Sequence, residues 1–165
     1  MIDYHSPRFK TSEVARAAGI PAPTFRSYFS RQQFRVIGEM SQKADIFGLP
    51  NLFSLTDALG FAVAVRLISI GADPKSAWEV AMLKFAHTGD EDRPPAHMFD
   101  IHEKGETLLI YWPDEGKGRL VAANDVDLIS AMGLSWGQPN AVEAANTILL
   151  NPIEQRVFAA LGIAS

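Results

Sequence analysis

Thr11-Ser12-Glu13-Val14-Ala15-Arg16-Ala17-Ala18-Gly19-Ile20, followed three residues later by Thr24-Phe25-Arg26-Ser27-Tyr28, decides how the first third of this 165-residue chain is read. Thr11 is the expected N-cap, since its hydroxyl can accept an orphan amide of the first turn, and Glu13 then sits where the helix dipole favours negative charge. The helix should end near Ala18. Gly19 suits the left-handed conformation that closes it, and Ile20 can plug the corner to a second helix. Pro23 fits the first turn of that helix, where its missing amide would be unpaired anyway, and the helix should run to about Arg31. Val14, Ala15, Ala18, Ile20, Phe25 and either Tyr28 or Phe29 then supply the apolar contacts that hold two short helices and a turn to something larger.

Working outward, Phe34 to Ile37 is aromatic and β-branched. Gly38 and a polar stretch containing Lys43 lead from it to Asn51, Leu52 and Phe53, a pattern that predicts a hairpin wing. Leu55, Leu59, Ala62, Val63, Leu67 and Ile70 recur at helical spacing, with Asp57 in the first turn. Asp73 as N-cap and Pro74 at the first position open a further helix, whose buried stripe is Ala77, Trp78, Ala81, Met82 and Phe85. These five elements end near His87.

The motifs resemble, in order and spacing, the opening of MerR-family regulators, in which the first helix ends in Gly-Val and the recognition helix contains Thr-Leu-Arg-Tyr-Tyr. Leu52-Phe53-Ser54-Leu55-Thr56-Asp57 is similar to that family's exit from the wing. Arg66-Leu67-Ile68-Ser69-Ile70-Gly71-Ala72-Asp73 is similar to its Leu-x-x-x-Gly helix end before a capped helix. The likeness covers about residues 9 to 86. It implies a winged helix-turn-helix DNA-binding domain over residues 1–87, with Thr24 and Arg26 near the major groove and Tyr28 reaching the backbone. Thr11, Ser12 and Arg16 on the first helix, with Arg31, Arg35 and Lys43 at the wing, would contact flanking phosphates. The sequence departs from the family pattern at Pro21, where Ser or Thr usually caps the recognition helix, at Asn51, where Arg is common, and in a long wing. No sustained heptad follows residue 87.

The distribution of charge agrees with such a head. The whole chain carries a net charge of -4, but residues 1–50 hold seven Lys or Arg against four acids, or +3, leaving eight basic and fifteen acidic residues, or -7, to the remainder. A basic head on an acidic body can meet phosphates while the body stays soluble. The chain has no cysteine, which excludes disulfides and thiolate ligation. No apolar run is long enough to span a bilayer and the N-terminus lacks a secretory signal, so a cytoplasmic protein without membrane contact is expected.

Thr88 to Pro95 (TGDEDRPP) reads as a boundary, and residues 88–165 as a small α+β effector, partner or dimerisation domain. Three strands are expected, Phe99 to His102, Thr107 to Trp112 and Arg119 to Ala122, separated by the Gly-containing turns EKGE and PDEGKG. The middle strand is apolar on both faces and should be covered on both. Helices are expected from Asn124 to about Met132, from Ala141 to Leu150 behind an Asn140/Glu143 capping-box pair, and from Asn151 to a stop at Gly162. The Ala/Leu-rich pair from Ala141 to Leu161 offers a seam for a homodimer.

The expected fold class is therefore α+β, mainly helical. The expected function is a sequence-specific DNA-binding transcriptional regulator acting on double-stranded DNA as a homodimer, with a small-molecule effector or a protein partner on the C-terminal half. A helix-turn-helix adaptor that binds protein and not DNA, in a phage or chromosome-associated assembly, stays open beside it, because such folds serve both roles. No catalytic set, cofactor or metal is expected. His97 and His102 would project to opposite faces of a strand, only Asp100 and His102 would share one, and no nucleophile, phosphate loop or HExxH-type motif accompanies them. Phe99, Tyr111, Trp112 and Trp136 are read as core before effector pocket.

Overall fold

The computed structural model of the protein describes residues 1–37, 52–133 and 142–164. These residues form an α+β fold of six α-helices and a three-stranded antiparallel sheet. Helix α1, Thr11–Ala18, is capped one residue earlier than its sequence implies: Lys10 is the N-cap, and its amide donates to the Glu13 carboxylate at 2.7 Å. Glu13 thus satisfies the helix start, and Thr11 becomes its first helical residue. Gly19 closes α1 with φ 83°, and its amide donates to the Arg16 carbonyl at 3.0 Å. Helix α2, Ala22–Ser30, follows at once with Pro23 in its first turn.

Helix α3, Leu55–Ser69, forms the centre of the molecule. Ser54 and Asp57 cap it reciprocally: the Asp57 amide donates to Ser54 Oγ at 3.1 Å and the Ser54 amide donates to Asp57 Oδ2, also at 3.1 Å. Its side chains from Leu55 to Ala64 are all buried, so it is a core helix and not the one-sided amphipathic element that its spacing implied. Helix α4, Pro74–Val80, is capped by Asp73, and the chain continues as a π-helical segment, Ala81–Ala86. Gly60 lets α3 lie close to this segment, since a Cβ there would fall on Met82 Sδ and only 2.8 Å from Ala86 Cβ. No helix among the described residues is long and apolar enough to cross a membrane.

Strands β1, Thr107–Trp112, and β2, Lys117–Ala122, pair in the expected places, with Leu109 opposite Leu120. The third strand is a correction. Phe99 to His102 forms no strand, because the Asp100 carboxylate accepts the His102 amide at 2.8 Å and folds the chain into a turn. The sheet is instead completed by β3, Asn146–Leu149, which pairs with the other edge of β1 and gives the order β2-β1-β3. That strand lies inside the stretch expected as the Ala141 to Leu150 helix. Thr147 and Ile148 are β-branched, and backbone pairing with Leu109 and Ile110 overrides local helix preference. Asn140 and Ala141, where that helix was to start, lie outside the described residues.

The remaining helices are α5, a single turn at Leu128–Ala131 capped by Asp127, and α6, Asn151–Leu161, closed by Gly162 at φ 68°. The helix expected from Asn124 is thus shorter and begins later. Leu109, Tyr111 and Ile148 point into the same apolar core as Phe25, Phe61, Val157 and Phe158, which runs across the expected 87/88 boundary. The opposite sheet face packs Leu108, Ile110 and Val121 beneath Trp112, Val126, Ala131 and Met132, so β1 is covered on both sides. Ile153, Val157 and Phe158 of α6 are buried against the chain's own core, where α6 packs on α1 and α3. The expected seam therefore has no helix pair among the described residues, and Ile153, Val157 and Phe158 of α6 are already covered.

Candidate nucleic-acid interface

Aromatic packing fixes α2 in place. Phe25 and Phe29 point inward and meet the Phe61 ring at centroid distances of 5.1 and 5.5 Å, while Phe53 lies 5.7 Å from Phe61. Edge-on contacts of this kind add specific geometry to apolar burial. Beyond the helix, Gln32 adopts φ 57°, and the Gln33 amide donates back to the Tyr28 carbonyl at 2.8 Å. That reversal brings Phe34 under Tyr28, with the rings stacked at 4.5 Å. Tyr28 is thus half-buried and supports the helix end as well as facing outward.

With two anchors at Phe25 and Phe29, the rest of α2 faces out. Thr24, Arg26, Ser30 and Arg31 are exposed and Ser27 is half-buried. At about 100° of rotation per residue, Thr24 and Arg26 fall on opposite edges of the exposed arc, with Ser27, Ser30 and Arg31 between them. The Ser27 and Ser30 hydroxyls donate to the carbonyls of Thr24 and Ser27 at 2.7 and 3.0 Å, which keeps both side chains low on the helix. Arg26 and Arg31 form no ion pair among the described residues. The arc is a cationic strip without a carboxylate of its own, since α2 contains no acidic residue.

The other expected contacts divide. Ser12 is exposed on α1 and Thr11 is half-buried. Arg16 is exposed, but its guanidinium donates to the Ala160 carbonyl at 2.7 Å, where it caps the end of α6. Arg35 is also exposed, and its guanidinium lies 4.4 Å from the centroid of the Trp78 ring. Lys43 lies outside the described residues, as do Asn51 and most of the expected wing. Of the wing's flanks, Phe34 to Ile37 is not a strand, and Phe53 pairs with Phe9, exchanging backbone hydrogen bonds of 2.8 and 3.0 Å.

Sequence reasoning missed a set of buried or half-buried polar groups elsewhere in the fold. Asp57, besides capping α3, accepts the Ser54 hydroxyl at 2.7 Å and lies 3.2 Å from His87 Nε2. Arg93, placed in the supposed linker, is 2% exposed: its guanidinium donates to the carbonyls of Thr88, Pro94 and His97 at 2.7, 3.1 and 3.2 Å. A cation inside an acidic, proline-ended run gives no periodic signal, so composition alone could not find it. His97 Nδ1 lies 2.8 Å from the Pro95 carbonyl, and its ring stacks on Tyr4 at 3.9 Å. Comparison of the chain with protein-family models, with curated proteins and with solved structures gives no match.

Proposed function

We propose that this protein is a sequence-specific DNA-binding transcriptional regulator of the winged helix-turn-helix type, reading the major groove with α2. The observation that carries the proposal is the exposed strip of Thr24, Arg26 and Arg31 on a helix held from behind by Phe25 and Phe29. A helix about 10 to 12 Å across with its side chains fits a major groove about 12 Å wide. Thr24 and Arg26, at the two edges of the arc, would then face opposite walls of the groove. The excess of basic residues in the first fifty positions of an otherwise acidic chain supports the same reading.

Within this proposal the candidate contacts fall into ranks. Arg26 and Arg31, which form no ion pair among the described residues, are offered to phosphates or bases. Arg16 and Arg35 hold internal partners, so each would contribute to DNA only with what remains of its guanidinium. A nine-residue helix makes few contacts by itself, and the proposal therefore includes a homodimer reading paired half-sites. A monomer in sedimentation with and without duplex DNA would remove that component. Titration of mixed-sequence duplex at two salt concentrations tests the whole: a steep fall in affinity with salt is expected, and no binding at either concentration contradicts it.

A further inference from the structure

A cleft of about 660 Å³ opens between the π-helical segment that continues α4 and the turn joining β1 to β2. That volume lies within the range of small-molecule sites. Val80, Leu83, Trp112 and Met132 give it an apolar floor, with Leu83 left 41% exposed. The Trp112 indole N–H already donates to the Met132 carbonyl at 2.9 Å, so the ring offers an occupant its face and no donor. Gly118 makes the wall: a side chain there would collide with Val80 Cγ1, and its absence lets β2 lie directly against α4.

Charge is confined to the rim. Lys84, Lys117 and Arg119 line it against Glu79 and Glu115, and Lys117 is paired with Glu115 at 3.1 Å. Lys84 and Arg119 thus confront the single remaining carboxylate of Glu79, and neither forms an ion pair among the described residues. The backbone adds an independent sign. Leu83 and Lys84 belong to the six-residue π-helical segment, a conformation that is rare and concentrated at functional sites.

We propose that this cleft binds a small apolar carboxylate, with its hydrocarbon or aromatic body on Trp112, Val80 and Leu83 and its anionic end held by Arg119 and Lys84. A floor with no free hydrogen-bond donor selects an apolar body, and a rim with an excess of cations selects an anion. A monoanion fits better than a phosphate ester, because Glu79 shares the lining with Lys84 and Arg119 and offsets part of their charge. Binding here requires nothing of α2 or of DNA.

Titration of the full chain with 2-naphthoate, followed by amide chemical shifts, tests this assignment. Saturable binding is expected, with shifts centred on residues 79–84, 112–119 and 131–133. The neutral isostere 2-naphthylmethanol should bind at least about tenfold more weakly, as should 2-naphthoate to the Lys84→Ala/Arg119→Ala double variant, whose altered side chains are exposed. Leu83→Glu, which sets a carboxylate in the cleft, should abolish binding. Absence of saturation, equal binding of the neutral alcohol, unchanged affinity of the double variant or shifts centred elsewhere would overturn the assignment.

Discussion

Trp78 holds Arg35 twice: its indole N–H donates to the Arg35 carbonyl at 2.8 Å, and its ring lies 4.4 Å beneath the Arg35 guanidinium. One buried side chain of α4 thereby fastens the segment that leaves α2 to the core.

Replacing the indole while keeping an aromatic ring separates the two contacts. Trp78→Phe retains a face for the cation but leaves the Arg35 carbonyl without its donor, and should cost about 1 to 3 kcal/mol. Chemical denaturation checks the loss, and amide shifts of residues 33–37 should move more than those of β1.

Arg93 is the buried cation around which residues 88–97 fold. Lysine keeps the charge but cannot reach several carbonyls from one planar group. Arg93→Lys should therefore destabilise the protein by about 2 kcal/mol or more, measured by urea denaturation. A loss as small as that of an exposed substitution such as Arg156→Lys would show that the carbonyl network contributes little.

Burial on α6 pushes the Glu154 carboxyl above its ordinary value of 4.5, and the Tyr4 hydroxyl is pushed up to about 12 by burial and by the nearby Glu154 charge. A raised carboxyl value means that folding favours the protonated acid. Stability should thus decline as pH rises from about 4.5 through the folded-state value, then level off. Glu154→Gln should remove this decline: the variant gains on the parent at neutral pH and the advantage disappears in acid. Ultraviolet titration of the variant should also place the Tyr4 phenol lower than about 12.

Close backbone approach at Gly118 carries its own prediction. An added methyl would collide with Val80 Cγ1 and sit 3.2 Å from Leu109 Cδ1, between the sheet and α4. Gly118→Ala should cost about 1 to 3 kcal/mol by overpacking, read from the shift in thermal midpoint. Gly105→Ala, at φ 75°, would be strained by backbone conformation as well as by the Asn124 side chain, whose Oδ1 lies 2.7 Å from the added methyl.

The elements most legible in the sequence were those with local chemical punctuation. Gly19 and Gly162 ended α1 and α6, Asp73 and Pro74 opened α4, and the apolar run at Thr107 to Trp112 announced β1. What escaped depended on distant partners. Asn146–Leu149 became a strand because the free edge of β1 needed a neighbour, and Phe99 to His102 failed as one because Asp100 turned the chain. In the candidate interface, the resemblance put Arg26 on the second helix and Arg31 at the wing, and both are exposed in the structure. The resemblance could not reveal that Arg16 reaches the Ala160 carbonyl or that Arg35 lies on Trp78, since those contacts join positions far apart in the chain.

The proposed contact of α2 with nucleic acid runs through its cationic strip. Its most direct test is the slope of duplex-DNA affinity against salt for the parent, the Arg26→Ala/Arg31→Ala variant and Arg156→Ala, whose change lies on the exposed side of α6. The double variant should bind more weakly and lose about two units of slope, about 0.9 for each phosphate contact removed, while Arg156→Ala stays close to the parent. An unchanged slope in the double variant, or an equal loss in Arg156→Ala, would contradict the claim.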